Sequence, residues 1–243
     1  MIAQARTSGT AGFTLIELMI AMTITIAVIG AIFTLVTSAQ AAFQAQGEVP
    51  DMQQRLRASI DVLTADVRSA GGIEAPVRPY RVGAVRDDFA AGVYYRADTI
   101  TVFHVSAGAL PADAPVVITR TYYLRPDAAS DTFDLMQYDG RQTDLPVIDH
   151  VAGVAFEYFG DPRAPQLVAN GELKDDPITL DPAILADGPW WEDHVGAGTF
   201  DADLVRVRSI GVRLRVRSVF GARLVPDLEI TFRVALRNMT SGR

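Results

Sequence analysis

From Leu18 to Gly47 no charged residue interrupts the chain, and Leu18–Val36 is apolar apart from a few threonines. A helix needs about 20 apolar residues to cross a bilayer, so this run predicts a membrane-spanning helix from Phe13 to about Gln46. Thr23, Thr25, Thr34 and Thr37 can bond back to their own helix carbonyls. One carboxylate, Glu17, stands at the mouth of the run. A charge at membrane depth costs roughly 2.5–3.5 kcal/mol even on lenient scales, so a partner for it is expected. Gly47-Glu48-Val49-Pro50 then breaks the pattern and predicts a kink or break, because proline clashes with the preceding turn. Asp51 is placed to cap a restart. Met52, Leu56, Ile60, Leu63 and Val67 recur at spacings of 4, 4, 3 and 4, the apolar stripe of an amphipathic helix. Gly71-Gly72 is the expected stop.

Beyond Ile73 the pattern changes to short runs rich in β-branched and aromatic residues. Thr99–Val105, Val116–Leu124, Thr132–Tyr138 and Val151–Phe159 read as strands, with a turn at Asp139-Gly140. Residues 161–203 hold Pro162, Pro165, Pro177, Pro182 and Pro189 and little periodicity, so they read as a long acidic loop or insertion. Leu204–Val219 and Leu228–Leu236 close the chain as a hairpin. The fold class is therefore α+β: a long, partly transmembrane N-terminal helix packed on a β-rich domain with an antiparallel sheet. The organisation expected is residues 1–12 as a leader, 13–46 as the membrane half of the helix, 47–72 as its amphipathic half, and 73–243 as the globular domain.

The penultimate strand carries a phase change. Val205 and Val207 are apolar at odd positions, but Ile210, Val212, Leu214 and Val216 at even ones. Strands alternate with period two, so a bulge is required near Ser209–Gly211. Arg206, Arg208, Arg213, Arg215 and Arg217 would then share an outward face. Such a row can hold phosphates, but no aromatic residues interleave to stack bases, and the chain as a whole is acidic. Arg213, Arg215 and Arg217 are read first as a subunit-contacting or solvated surface, with DNA the lesser alternative.

Charge sharpens this picture. The net charge of −7 is uneven: residues 161–203 carry ten acids against Arg163 and Lys174, and residues 204–243 carry nine arginines against Asp227 and Glu229. An acidic loop and a basic final segment suit contacts within an assembly, or simply solvated surface. There is no cysteine, which excludes disulfides, thiol catalysis and thiolate metal sites.

Gly12-Phe13-Thr14-Leu15-Ile16-Glu17 resembles the processing motif of type IV prepilins and type II secretion pseudopilins. The resemblance implies cleavage after Gly12 by a membrane aspartyl peptidase and N-methylation of Phe13. It also implies that Glu17 pairs with a neighbouring subunit's terminal amine, and an ammonium there would neutralise an otherwise unpaired charge. Residues 1–12 would then be a removed leader, in which Arg6 is the sole side-chain cation. Leu63–Gly71 is similar to a D-[LV]-R-x-A-G segment of PilW-type minor pilins. His150–Val154 with Tyr158–Asp161 is similar to a strand shared by PilW-type pilins and GspJ-type pseudopilins, and Phe232–Asn238 resembles the PilW-type ending. The implied role is a minor pilin that starts or caps pilus assembly, with a GspJ-type pseudopilin as the alternative. Its implied partners are other minor and major pilins, the prepilin peptidase, the assembly platform and the lipid bilayer. The implied location is the inner membrane, single-pass, with the C-terminal domain periplasmic or extracellular and carried into or at the tip of the pilus.

Other readings stay open beside this one. The apolar run is also a plain anchor, or a secretory signal ending at the small-x-small site Ala39-Gln40-Ala41, although signal cores span about 7–15 residues. His104, His150 and His194 have no metal-like or catalytic spacing, and no G-x-S-x-G elbow occurs, so no enzyme is expected. No cofactor is expected either. Asp175, Asp176, Asp181, Asp201 and Asp203 offer the hard oxygens calcium prefers, without EF-hand spacing. Trp190-Trp191 in the acidic loop is a candidate partner-binding anchor, with local packing as its bland counterpart.

Overall fold

A computed structural model describes residues 12–80, 97–106, 116–141, 143–161, 177–192, 198–220 and 225–237. The chain divides into two units, one up to Gly47 and one from Glu48 onward. A single helix, α1 (Leu15–Ser69), belongs to both. The expected interruption at 47–50 does not end it: Pro50 lies inside the helix. Proline removes one main-chain donor, and a helix bonded on either side can lose one rung and continue. Asp51 is thus no cap; it is a helical residue whose carboxylate meets Arg55 Nε at 3.0 Å.

Within the second unit α1 buries Glu48, Met52, Leu56, Ser59, Leu63, Asp66 and Val67. This is the predicted stripe with Ser59 in place of Ile60, which is only half-buried. The helix stops at Ser69. Gly72 follows at φ +81°, where an added Cβ would meet Val105 Cβ at 2.8 Å. Glycine is needed there for both conformation and space.

The β-rich part is one antiparallel sheet of eight strands, in the order β1-β2-β3-β4-β5-β9-β10 with β6 also on β5. The strands are β1 (Val77–Arg78), β2 (Ile100–Ser106), β3 (Val116–Pro126), β4 (Phe133–Tyr138), β5 (Asp144–Gly160), β6 (Ile178–Leu180), β9 (Val207–Val216) and β10 (Leu228–Ala235). The α+β layout is as the sequence predicts. Its core gathers Met52, Leu56, Leu63 and Val67 of the helix with Phe103, Tyr122, Leu135, Phe156, Ile210, Val212 and Leu214 of the sheet. At about 25 cal/mol per Å² of apolar surface, this packing is what holds a disulfide-free domain together.

Three sequence expectations are corrected. First, β5 begins at Asp144 rather than Val151. Pro146 pairs with Met136 where the β4–β5 register shifts, and a bulge is where a strand tolerates proline. His150, at φ +52°, marks the place where β5 leaves β4 and takes up β9. Second, the described part of 161–203 is not a featureless loop. It contributes β6, a 3-10 turn at Pro182–Leu185, and a small separate hairpin of β7 (Trp190–Glu192) and β8 (Thr199–Asp201). Third, Ala202–Arg206 is a second 3-10 turn, so β9 starts at Val207 and not at Leu204.

The bulge is present, a little earlier than expected. Phe159 pairs with Ser209 but Gly160 with Val207, which leaves Arg208 as the extra residue. Gly160 makes this geometry: an added Cβ would lie 2.0 Å from Arg206 O, and Asp161 N donates to that same carbonyl at 3.0 Å.

Candidate functional site

The N-terminal part of α1 has the most distinctive chemistry. Thr14 precedes the first helical residue, and Glu17 occupies the third helical position. The Thr14 backbone N–H and its hydroxyl each donate to Glu17 Oε2 at 2.9 Å, and Glu17 N donates back to Thr14 Oγ1 at 3.3 Å. This is a reciprocal capping box, with a carboxylate at the positive end of the helix dipole. Glu17 Oε1 takes no hydrogen bond among the described residues. Phe13 and Glu17 line one concave side of the helix with Leu18, Ala21, Met22 and Thr25.

Around this cap the helix is bare apolar surface. Phe13 is 88% exposed, and Leu18, Ile24, Ile26, Ile32, Phe33 and Leu35 are all exposed. Thr23, Thr25, Thr34 and Thr37 return their hydroxyls to helix carbonyls three or four residues back, at 2.7–3.0 Å. The polar side chains are thereby satisfied without water, as a lipid environment demands. Among the described residues this is the one helix long and apolar enough to cross a membrane.

Of the arginine row, Arg208, Arg213 and Arg215 are exposed on β9, Arg206 lies in the preceding 3-10 turn, and Arg217 follows the strand. Each has a carboxylate partner: Arg206 with Asp203 at 2.7 Å, Arg208 with Asp161 at 2.5 Å, Arg213 with Glu157 at 2.8 Å, Arg215 with Asp227 at 3.8 Å, and Arg217 with Asp227 at 3.4 Å. The row is a cross-strand charge ladder rather than a bare cationic stripe. Arg206–Asp203 is largely buried, whereas the exposed pairs contribute about 0.2–1 kcal/mol each; the larger effect of the row's acids is to cancel the field that phosphates would follow.

Trp190 and Trp191 stand half-exposed on β7. Trp190 meets Tyr80 edge-on with centroids 6.5 Å apart, and Trp191 meets Phe200 at 6.4 Å. Asp181 caps the 3-10 turn by accepting from Ala183 N at 3.0 Å. Asp201 and Asp203 come together with Asp187, their carboxylate oxygens within 4.8 Å of one another. Asp201 already accepts from Gly188 N at 2.6 Å and Asp203 N at 2.8 Å, while Asp203 holds Arg206. Burial raises the Asp201 pKa from its ordinary value against these two donors. Asp175, Asp176 and His194 lie outside the described residues. His104 sits in β2 and His150 in β5, on separate strands.

Sequence reasoning missed a buried polar cluster at the helix end. Asp66 accepts from Tyr122 OH at 2.5 Å and Gln137 Nε2 at 2.8 Å, and forms an ion pair with Arg120. Asp66 lies beside Val67 of the apolar stripe and is buried with it. A second missed anchor is Arg55, which reaches Glu48 at 3.2 Å and Asp149 at 2.8 Å. Burial alone would lower the Arg55 pKa, but these acids and Asp51 outweigh it and raise it. Both clusters join α1 to the sheet and carry no reactive group.

Residues 7–36 match the family described as the prokaryotic N-terminal methylation motif. The chain is prepilin-like at its N-terminus. The match includes Gly12, Phe13, Thr14 and Glu17, so the capping box lies inside the motif. A prepilin-like segment supports a structural protein of the pilin or pseudopilin kind, one that associates with other pilins and with membrane assembly machinery, and the exposed apolar helix is consistent with its anchor. No curated protein and no solved structure matches the chain.

Proposed function

We propose that this chain is a minor pilin of a type IV pilus, cleaved after Gly12, N-methylated at Phe13, and held in the inner membrane by α1 until it enters the filament. The observation that carries this reading is Glu17: a carboxylate with one oxygen capped by Thr14, at the head of a helix whose next five turns or so are exposed and largely apolar. Cleavage would create an ammonium at Phe13, and Oε1 of Glu17 would accept one from a neighbouring subunit. Removing the leader leaves the Phe13–Thr14 peptide intact, so the cap persists in the mature chain. Lateral exit from lipid exchanges apolar contact with acyl chains for contact with other helices. The carboxylate–amine pair sets the axial register, because each unpaired buried charge is strongly disfavoured.

The test is mass spectrometry on the protein from cells with and without a working prepilin peptidase. N-methyl-Phe13 at the mature N-terminus is the expected result; an intact leader in peptidase-positive cells, or a mature N-terminus at Ala42, would reject it. Glu17→Ala should insert in the membrane and be recovered poorly in sheared pili. A GspJ-type pseudopilin is the second reading, because the strand that His150–Asp161 resembles is shared by both groups. Deletion that abolishes secretion and spares piliation would select it.

A further inference from the structure

Strand β10 ends the sheet, and no described strand pairs with its outer edge. Its register with β9 is unbroken over eight residues, from Leu228 opposite Val216 to Ala235 opposite Ser209. It contains no proline, lysine or bulge, the devices that normally blunt an edge against pairing. Glu229, Thr231, Arg233 and Ala235 are exposed, while Leu228, Ile230 and Phe232 on the other face are only half-buried. The exposed arginines of β9 all have carboxylates. Among the described residues neither Glu229 nor Arg233 has a partner of opposite charge; Arg233 lies over the Phe159 ring at 3.5 Å. Four residues of strand span about 13 Å, so Glu229 and Arg233 cannot pair with each other in one chain.

We propose that β10 pairs antiparallel with β10 of a second copy of this chain, about a two-fold axis through Thr231. Thr231 then faces its own counterpart, and Glu229 faces Arg233 of the second copy, twice. On the other face Ile230 meets Phe232 and Leu228 meets Val234, covering the half-buried edge of the core. The register is selective. A slip by one residue would set apolar positions against polar ones. Centring on Glu229 or on Arg233 would place like charges opposite each other, which is destabilising. The register centred on Phe232 pairs neither charge, and the one centred on Ile230 sets Arg233 only against Asp227, which already holds Arg215 and Arg217. An isologous contact of this kind closes at two subunits, and it stands independently of whether the chain is a pilin.

The absence of native cysteine makes the test direct. Thr231→Cys in the full-length, membrane-resident chain, treated with a short bismaleimide, should yield a covalent homodimer, since directly opposed Cβ atoms are about 4.5–5.5 Å apart. Ala129→Cys, in the exposed turn between β3 and β4, should not. Adding Glu229→Arg or Arg233→Glu to Thr231→Cys should lower the cross-linked fraction roughly tenfold, because both cross-strand pairs become repulsive. Combining the two reversals should restore it. Equal cross-linking of Thr231→Cys and Ala129→Cys, cross-linking to a different protein instead, or no recovery in the double reversal would overturn the proposal.

Discussion

The Tyr122 hydroxyl donates to the Asp66 carboxylate at 2.5 Å, joining the last turn of α1 to the middle of β3. An acid in a last turn faces the negative end of the helix dipole, so Asp66 is tolerable there only because Tyr122, Gln137 and Arg120 converge on it. Burial, and then the Asp66 charge, push the tyrosine's pKa far above its ordinary value, so it stays a donor at every physiological pH. The Asp66 hydrogen bond raises the pKa of Arg120. Tyr122→Phe should destabilise the domain by about 1.5–3 kcal/mol, the range for a hydrogen bond to a charged group. Asp66→Ala should cost about 3–5 kcal/mol, because it strands a partly buried cation and two donors. Urea unfolding followed by tryptophan fluorescence checks both.

The glycines of the β5–β9 pair differ in the space beside them. Gly160→Ala places a Cβ against Arg206 O, a backbone atom that cannot move alone. The loss should reach or exceed the upper end of the common range, about 3 kcal/mol. Gly153, with nothing within 4 Å of an added Cβ, should accept alanine with a change inside about 0.5 kcal/mol or a slight gain. Gly211→Ala should fall between them, since its added Cβ meets Phe159 Cε2 at 2.9 Å, and a ring can tilt. Melting temperatures of the three variants should follow that order.

Acid should weaken the fold in two steps. Burial, followed by the nearby Arg120 charge, holds His104 below its ordinary 6.5, with Asp66 opposing. Between the depressed value and 6.5 the unfolded chain takes the proton more readily, so stability falls as the pH drops through that window. His104→Gln should remove this step. Asp149 supplies the second. Burial would raise its pKa, but the Arg55 hydrogen bond and charge outweigh it and set it below 3.8. Its contribution is present above 3.8 and is lost as the pH falls through the lower folded value. Unfolding free energies measured from pH 8 to pH 3 check both, and Arg55→Ala should abolish the acid step.

The capping box separates two roles of Glu17. Glu17→Gln keeps an oxygen for the Thr14 donors but removes the charge, whereas Thr14→Val keeps the charge and removes the hydroxyl. Loss of a cap costs about 0.5–2 kcal/mol of helix stability. Thr14→Val should therefore fray the first turn, read by hydrogen exchange in detergent, and Glu17→Gln should leave it nearly intact. If the carboxylate also meets a neighbour's amine, Glu17→Gln should be the variant that fails to enter filaments.

The apolar run and its single acid, the stripe from Met52 to Val67, the hairpin of β9 and β10 and the need for a bulge were all legible in the chain. Each is a local pattern, in which period and composition suffice. Pro50 pointed to a break that the helix does not have, and the strand read from Val151 starts at Asp144 with Pro146 inside it. Proline's penalty depends on whether the bond it removes is one the fold uses, and neither a bulge in β5 nor a helix bonded on both sides is visible from neighbours in sequence. The long proline-rich segment hid β6 and the β7–β8 hairpin, whose strands of three residues are too short to show a period.

By itself the sequence determined the long apolar helix, the motif around Glu17 and the class of the domain, because apolar length and alternation follow from covalent spacing alone. Only the tertiary structure decided that the arginine row is matched by acids, that Asp66 is a buried knot, and that no described strand pairs with the outer edge of β10. Those are properties of partners brought together from distant parts of the chain: Asp66 meets a tyrosine 56 residues away and Arg213 a glutamate 56 residues away. No local pattern encodes that distance, since it is the packing of the sheet that closes it.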